Sequence, residues 1–154
     1  MFLNFTTISY ILFIYNLIRY ALFKLFPNLL SEKVKQNLNN ISALSYSLIV
    51  STSIIGIISV NYYNCCLNGK TNTYDKLKRS DKILHIIPLL LINLVAPKPE
   101  EISIKKEYLY SFTPIMNAIY CYFIDFEKIY YKVPQSNLLV FGNFIALVST
   151  YLKY

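Results

Sequence analysis

The chain has no tryptophan, a single histidine and three glycines, and only 15% of its 154 residues are charged. Each shortage removes a class of chemistry. A lone imidazole offers no ligand set for a metal, and the three cysteines show neither metal spacing nor a paired framework. No metal and no cofactor is expected. Cys65 and Cys66 close one apolar run and Cys121 lies inside another, places that suit inert thiols; Cys65 and Cys66 also stand where acylation occurs. So little charge in so apolar a chain excludes an ordinary soluble domain. The net charge of +7 does not indicate nucleic acid, because the basic residues lie between apolar segments and form no separate basic arm.

What is present is hydrophobic length. Apolar residues make up 55% of the chain, and fifteen tyrosines take the interfacial role that tryptophan often fills. A helix needs about 20 apolar residues to cross the hydrocarbon core, and five segments approach or meet that length: 2–23, 41–63, 83–95, 108–124 and 135–152. The third is short, but Pro88 near its start is tolerated in a membrane helix. The first lacks a charged leading region and a small-residue cleavage site, so it reads as a retained helix and not a signal peptide. The expected fold is all-α, a polytopic transmembrane bundle of about five spanning helices forming one integral-membrane domain, residues 1–154. The membrane, whether plasma membrane or endomembrane, is left open.

The connections 24–40, 64–82, 96–107 and 125–134 hold nearly every charge. With five crossings the first, third and fifth helices run in one direction. We call side A the face on which they begin and side B the face on which they end. Each side carries seven Lys or Arg, so positive charge does not orient the bundle. Helical spacing gathers Ser45, Thr52, Gly56 and Ser59 on one face of the second segment and Gly142, Ala146 and Ser149 on one face of the fifth. Such small-residue faces let another helix backbone approach closely. The fourth segment lines up Tyr110, Thr113, Asn117 and Tyr120, and the first Ser9, Asn16 and Tyr20. These polar stripes prefer the bundle interior to lipid and suit contacts with helices of this chain or of a partner protein.

His85 lies just inside the third segment. An ionisable group in a membrane helix is a functional candidate by default, and imidazole is the side chain best suited to act as a base near neutral pH. The plain alternative is a neutral ring near the interface, hydrogen-bonded to a loop carbonyl. Thr6 and Thr7, early in the first helix, and Ser59, late in the second, fall at a comparable depth on side A. Asp81 precedes His85 by one turn, and Asp125 and Glu127 lie at the same rim. Hydroxyl, imidazole and carboxylate are the parts of a nucleophile, a base and an orienting acid.

The stretch Asp81-Lys-Ile-Leu84-His85-Ile-Ile-Pro88 resembles the D-x-x-L-H-x-x-P helix start of the androgen-induced and androgen-dependent integral-membrane hydrolase family. Ile129-Tyr130-Tyr131-Lys132-Val133-Pro134 is similar to the aromatic and proline motif between that family's last two helices. The likeness runs from about Ile41 to the C-terminus. It implies a multi-helix membrane protein in which an intramembrane Thr and His hydrolyse lipid esters of hydroxy fatty acids. The base then falls on His85 and the nucleophile on Thr7, with Asp81 or Asp125 orienting the ring. Relatives generally carry about six helices, their aromatic motif includes a Trp absent here, and some have an acidic residue where this chain has Asn93. Two other classes compete: a non-catalytic scaffold or subunit of a membrane complex, and, less favoured, a transporter, for which no acidic residue lies within a span.

Overall fold

The computed structural model describes residues 5–66, 74–123 and 135–154. Five helices account for nearly all of them: α1 Phe5–Leu25, α2 Glu32–Cys66, α3 Tyr74–Val95, α4 Lys106–Phe123 and α5 Gln135–Lys153, with a 3-10 turn at Pro99–Glu101 between α3 and α4. No strand occurs among the described residues.

Local chemistry sets the helix ends. Phe26 N–H still bonds the Leu22 carbonyl at 2.9 Å, but Pro27 has no N–H to continue the ladder, and α1 stops. α2 begins at Glu32, whose carboxylate suits the positive end of the helix and pairs with Lys35 at 2.7 Å. The expected connection 24–40 is therefore much shorter, and α3 likewise starts at Tyr74, well before residue 83. Both helices extend past their apolar runs because backbone hydrogen bonding continues through polar turns. Pro88 and Pro114 sit within α3 and α4, each depriving one carbonyl of its helical partner. The connection 96–105 lies where expected, whereas 125–134 is outside the described residues.

Side-chain contacts give the directions of the helices. Between α1 and α2 the pairs Arg19 with Asn39 and Asn16 with Ser45 run in opposite senses. Between α2 and α3 Tyr46 meets Asn93 and Gly56 meets His85, again antiparallel. Asn40 with Ser103 and Ser47 with Thr113 make α4 parallel to α2. Ser51 with Gly142 and Tyr46 with Tyr154 make α5 antiparallel to it. Thus α1, α3 and α5 run one way and α2 and α4 the other, with α2 in contact with all four of its neighbours.

The interior is unusually polar. A core of Phe13, Tyr46, Ile49, Val50, Ile92, Val95 and Ala96 surrounds α2. Beside it are buried Ser9, Asn16, Ser42, Ser45, Ser47, Ser51, Thr113 and Asn117. Most of these hydroxyls and amides bond across helices. Asn16 donates to Ser45 Oγ at 2.9 Å and accepts from Ser42; Ser47 and Thr113 share a bond of 2.6 Å; Ser51 donates to the Gly142 carbonyl at 3.0 Å; Asn117 donates to Asn143 at 2.5 Å. The outside is the reverse. Ile18, Leu90, Leu94, Val140 and Leu152 are each more than 60% exposed. By length and composition, Thr6–Leu25 and Glu32–Ile58 can each cross a membrane, while Ile83–Val95 and Leu139–Lys153 are shorter apolar stretches.

Candidate functional site

His85 is buried, with 5% of its surface exposed. Its ring lies against Gly56 of α2: a Cβ added to that glycine would meet Nε2 and Cε1 well inside van der Waals contact, with Cδ2 at 2.5 Å. The expected reason for a small residue here was close approach of another backbone. The observed reason is a side chain. The α2 face otherwise lies as expected, with Ser45 and Thr52 buried on either side of the helix centre.

Depth along the bundle follows from a second contact. Arg19 of α1 donates one guanidinium nitrogen to the Val95 carbonyl at the end of α3 and another to Asn39 of α2. Since α1 and α3 are parallel, their residues can be levelled from that tie. At 1.5 Å per residue Thr7 lies about 18 Å back from Arg19, and His85 about 15 Å back from Val95. The two fall within about one helical turn of the same level, on helices that pack together. Thr7 is half-buried, and neither it nor His85 is without an interaction partner. Thr6, also half-buried, follows the helical spacing of buried Ser9, Phe13 and Asn16, whereas Thr7 follows that of exposed Ile11, Ile14 and Ile18. Asp81 is on α3 one turn before His85. Asp125 and Glu127 lie outside the described residues.

Other buried hydroxyls have evident structural work. Thr113 is tied to Ser47, and Thr150 donates to the carbonyl of Ala146, one turn back in its own helix, at 2.7 Å. Thr52 differs. It is 3% exposed, and its Oγ1 has no hydrogen-bond partner.

Arg19 was missed in the sequence, where the first polar stripe runs through Tyr20. Tyr20 is 43% exposed and Arg19 5%. A charged residue in an apolar segment was the available signal. Its role is that of a cap. The last carbonyls of a helix lack intrahelical partners and carry partial negative charge, which a guanidinium satisfies. Phe23 stacks at 5.4 Å, and Asn39 passes the tie on through Nδ2 to the Glu101 carbonyl at 3.1 Å. Beside this clamp opens a cleft of about 530 Å³ lined by Glu32, Lys33, Lys35, Glu100 and Glu101 among others, where Lys35 and Glu32 already pair.

No group of His, Cys, Asp and Glu able to hold a metal occurs among the described residues. Compared with models of protein families, with curated proteins and with solved structures, the chain has no match.

Proposed function

We propose that the chain is a multi-pass membrane protein and that His85 is the general base of an intramembrane lipid-ester hydrolase. The observation that carries this reading is one buried imidazole in a bundle with a hydrogen-bonded polar interior and an apolar exterior. A water-soluble bundle distributes these residues the other way, whereas lipid rewards apolar side chains outside and interhelical hydrogen bonds within, at about 0.6 kcal/mol each on average. A single imidazole, deep in such a bundle and level with the first-turn hydroxyls of α1, provides a base where a hydroxyl needs one.

The nucleophile in this reading is a hydroxyl in the first turn of α1, Thr7 by the family resemblance, with Thr6, on the buried stripe, as the alternative. Its oxygen attacks the ester carbonyl carbon while His85 takes the hydroxyl proton. Collapse of the tetrahedral intermediate breaks the bond to the leaving oxygen, which receives that proton from His85 and departs as the alcohol. Water then attacks the acyl-threonine, His85 accepting its proton and returning it to Thr7 as the fatty acid leaves. Asp81 or Asp125 orients the imidazole. The substrate class, esters of hydroxy fatty acids, rests on the family resemblance carried by Asp81–Pro88.

The test combines location and chemistry. The protein should stay with membranes through alkaline extraction, react with a fluorophosphonate probe, and hydrolyse fatty-acid esters of hydroxy fatty acids. His85→Ala and Thr7→Ala should each abolish turnover while remaining folded in detergent. Activity lost in Thr6→Ala and kept in Thr7→Ala would move the nucleophile by one residue. A folded wild type that neither labels nor turns over an ester replaces this reading with that of a scaffold subunit.

A further inference from the structure

Among the described residues two buried hydroxyls, those of Thr52 and Tyr154, have no hydrogen-bond partner, and of these Thr52 lies on the α2 face that meets His85. A threonine inside a helix ordinarily donates to the carbonyl one turn back, as Thr150 does to Ala146. Thr52 makes no such bond, although its hydroxyl oxygen is sealed from solvent. A buried polar atom in this state needs an explanation, and its neighbourhood provides one.

Thr52 precedes Gly56 by one helical turn. Residues so spaced have Cβ atoms about 5–6 Å apart, and a helical side chain covers the turn on the N-terminal side of its own Cα. The place of the missing Gly56 side chain therefore lies over the turn of Thr52, and the ring of His85 fills that place. The unpartnered Thr52 hydroxyl and the His85 imidazole thus belong to the same stretch of the α2 face, within about one helical turn of each other. Glycine at 56 is what lets the ring come so near.

We infer that the Thr52 hydroxyl is the oxyanion donor of this site, hydrogen-bonding the carbonyl oxygen of the bound ester as it becomes negatively charged. The inference rests on the hydrolase reading. Thr52 gives up no proton and forms no covalent bond; its O–H shortens its contact as charge develops, which is the condition for lowering the barrier more than it strengthens ground-state binding. An unpaired donor in the resting protein fits that role, because no hydrogen bond of the fold has to be broken before the hydroxyl can serve a substrate oxygen.

The experiment compares wild type with Thr52→Val, Thr52→Ala and Thr52→Ser in detergent micelles, using a fatty-acid ester of a hydroxy fatty acid, with thermal unfolding measured alongside. Thr150→Val, which removes another buried threonine hydroxyl, is the control. Loss of the donor should lower kcat on the order of 100-fold in Thr52→Val and Thr52→Ala, leave KM within a few-fold, and be rescued to within tenfold by Thr52→Ser. The control should retain kcat. If wild type turns over ester and a folded Thr52→Val or Thr52→Ala matches its kcat, the donor role is overturned while the hydrolase reading stands. A folded wild type with no turnover overturns both.

Discussion

The ring of His85 occupies the space a side chain at Gly56 would require, so the only imidazole and one of two glycines seated within described helices form a single packing unit. The two residues are far apart in sequence, and their meeting fixes the register of α3 against α2.

Gly56→Ala should lower stability by about 1–3 kcal/mol, since the methyl group enters a filled site beside a ring with little freedom to withdraw. Gly142→Ala should cost less. Its nearest obstacle is Ile55 Cδ1 at 2.5 Å, the movable tip of a flexible chain. Ile58→Leu, at an exposed position, is the neutral comparator. Unfolding in detergent, followed by circular dichroism, ranks the three. Equal melting temperatures for Gly56→Ala and Ile58→Leu would remove the packing claim, and adding His85→Ala should recover part of the Gly56→Ala loss.

Arg19→Ala should destabilise the side-B end by about 1–3 kcal/mol, because the Val95 carbonyl and the Asn39 side chain each lose a charged donor. Arg19→Lys should recover only part, having no planar fork to serve both acceptors. Protease access to the 96–105 connection reports the change, and cleavage no faster than in wild type would argue against the clamp.

Tyr154 predicts a response to alkali. Burial, then the neighbouring Tyr46, raise its phenol above the ordinary value despite the opposing charge of Arg19. A group with a raised folded-state value adds stability that is complete below the unfolded value of about 10 and disappears as pH climbs through the folded one. Melting temperature should therefore fall above about pH 10, and Tyr154→Phe should flatten that fall. At neutral pH the variant should lose nothing, because the hydroxyl has no hydrogen-bond partner to forfeit. A parallel decline in both proteins would exclude Tyr154 as the source.

Topology offers an independent check of the membrane reading. With α1, α3 and α5 parallel, glycosylation acceptors placed before Phe5 and after Lys153 should be modified one at a time, never both in one orientation. Modification of both, or recovery of a water-soluble monomer, would reject five crossings.

Much of this was legible in sequence. Unbroken apolar runs gave five helices, and helical spacing put Ser45, Thr52, Thr113, Asn117 and Ala146 inward, where they are buried. The start of α2 was not legible from hydropathy, since Glu32 to Asn40 form a polar stretch whose helicity depends on local pairing and on docking against the 96–105 connection. For Arg19 the charge within an apolar run was a signal, but its inward direction in place of Tyr20 was not legible. The two are a hundred degrees apart on the helix, and what draws Arg19 inward is a carbonyl belonging to another helix. His85 could be selected as the one ionisable imidazole, but its seat on Gly56 and the spare hydroxyl of Thr52 depend on a register between α2 and α3 that no local pattern encodes.

The clamp at Arg19 also bears on how such a chain is made. Its two acceptors lie 20 and 76 residues downstream, so at the ribosome the guanidinium exists long before the carbonyl of Val95 does. Released alone into lipid, α1 would hold a cation whose guanidinium has none of its folded-state acceptors, an unfavourable state for a charge inside a membrane helix. In a membrane, then, α1 should linger beside the translocation machinery until α3 has been synthesised, and the first three helices should enter the bilayer together. Truncation after α2 should leave α1 extractable by alkali, and truncation after Glu101 should not.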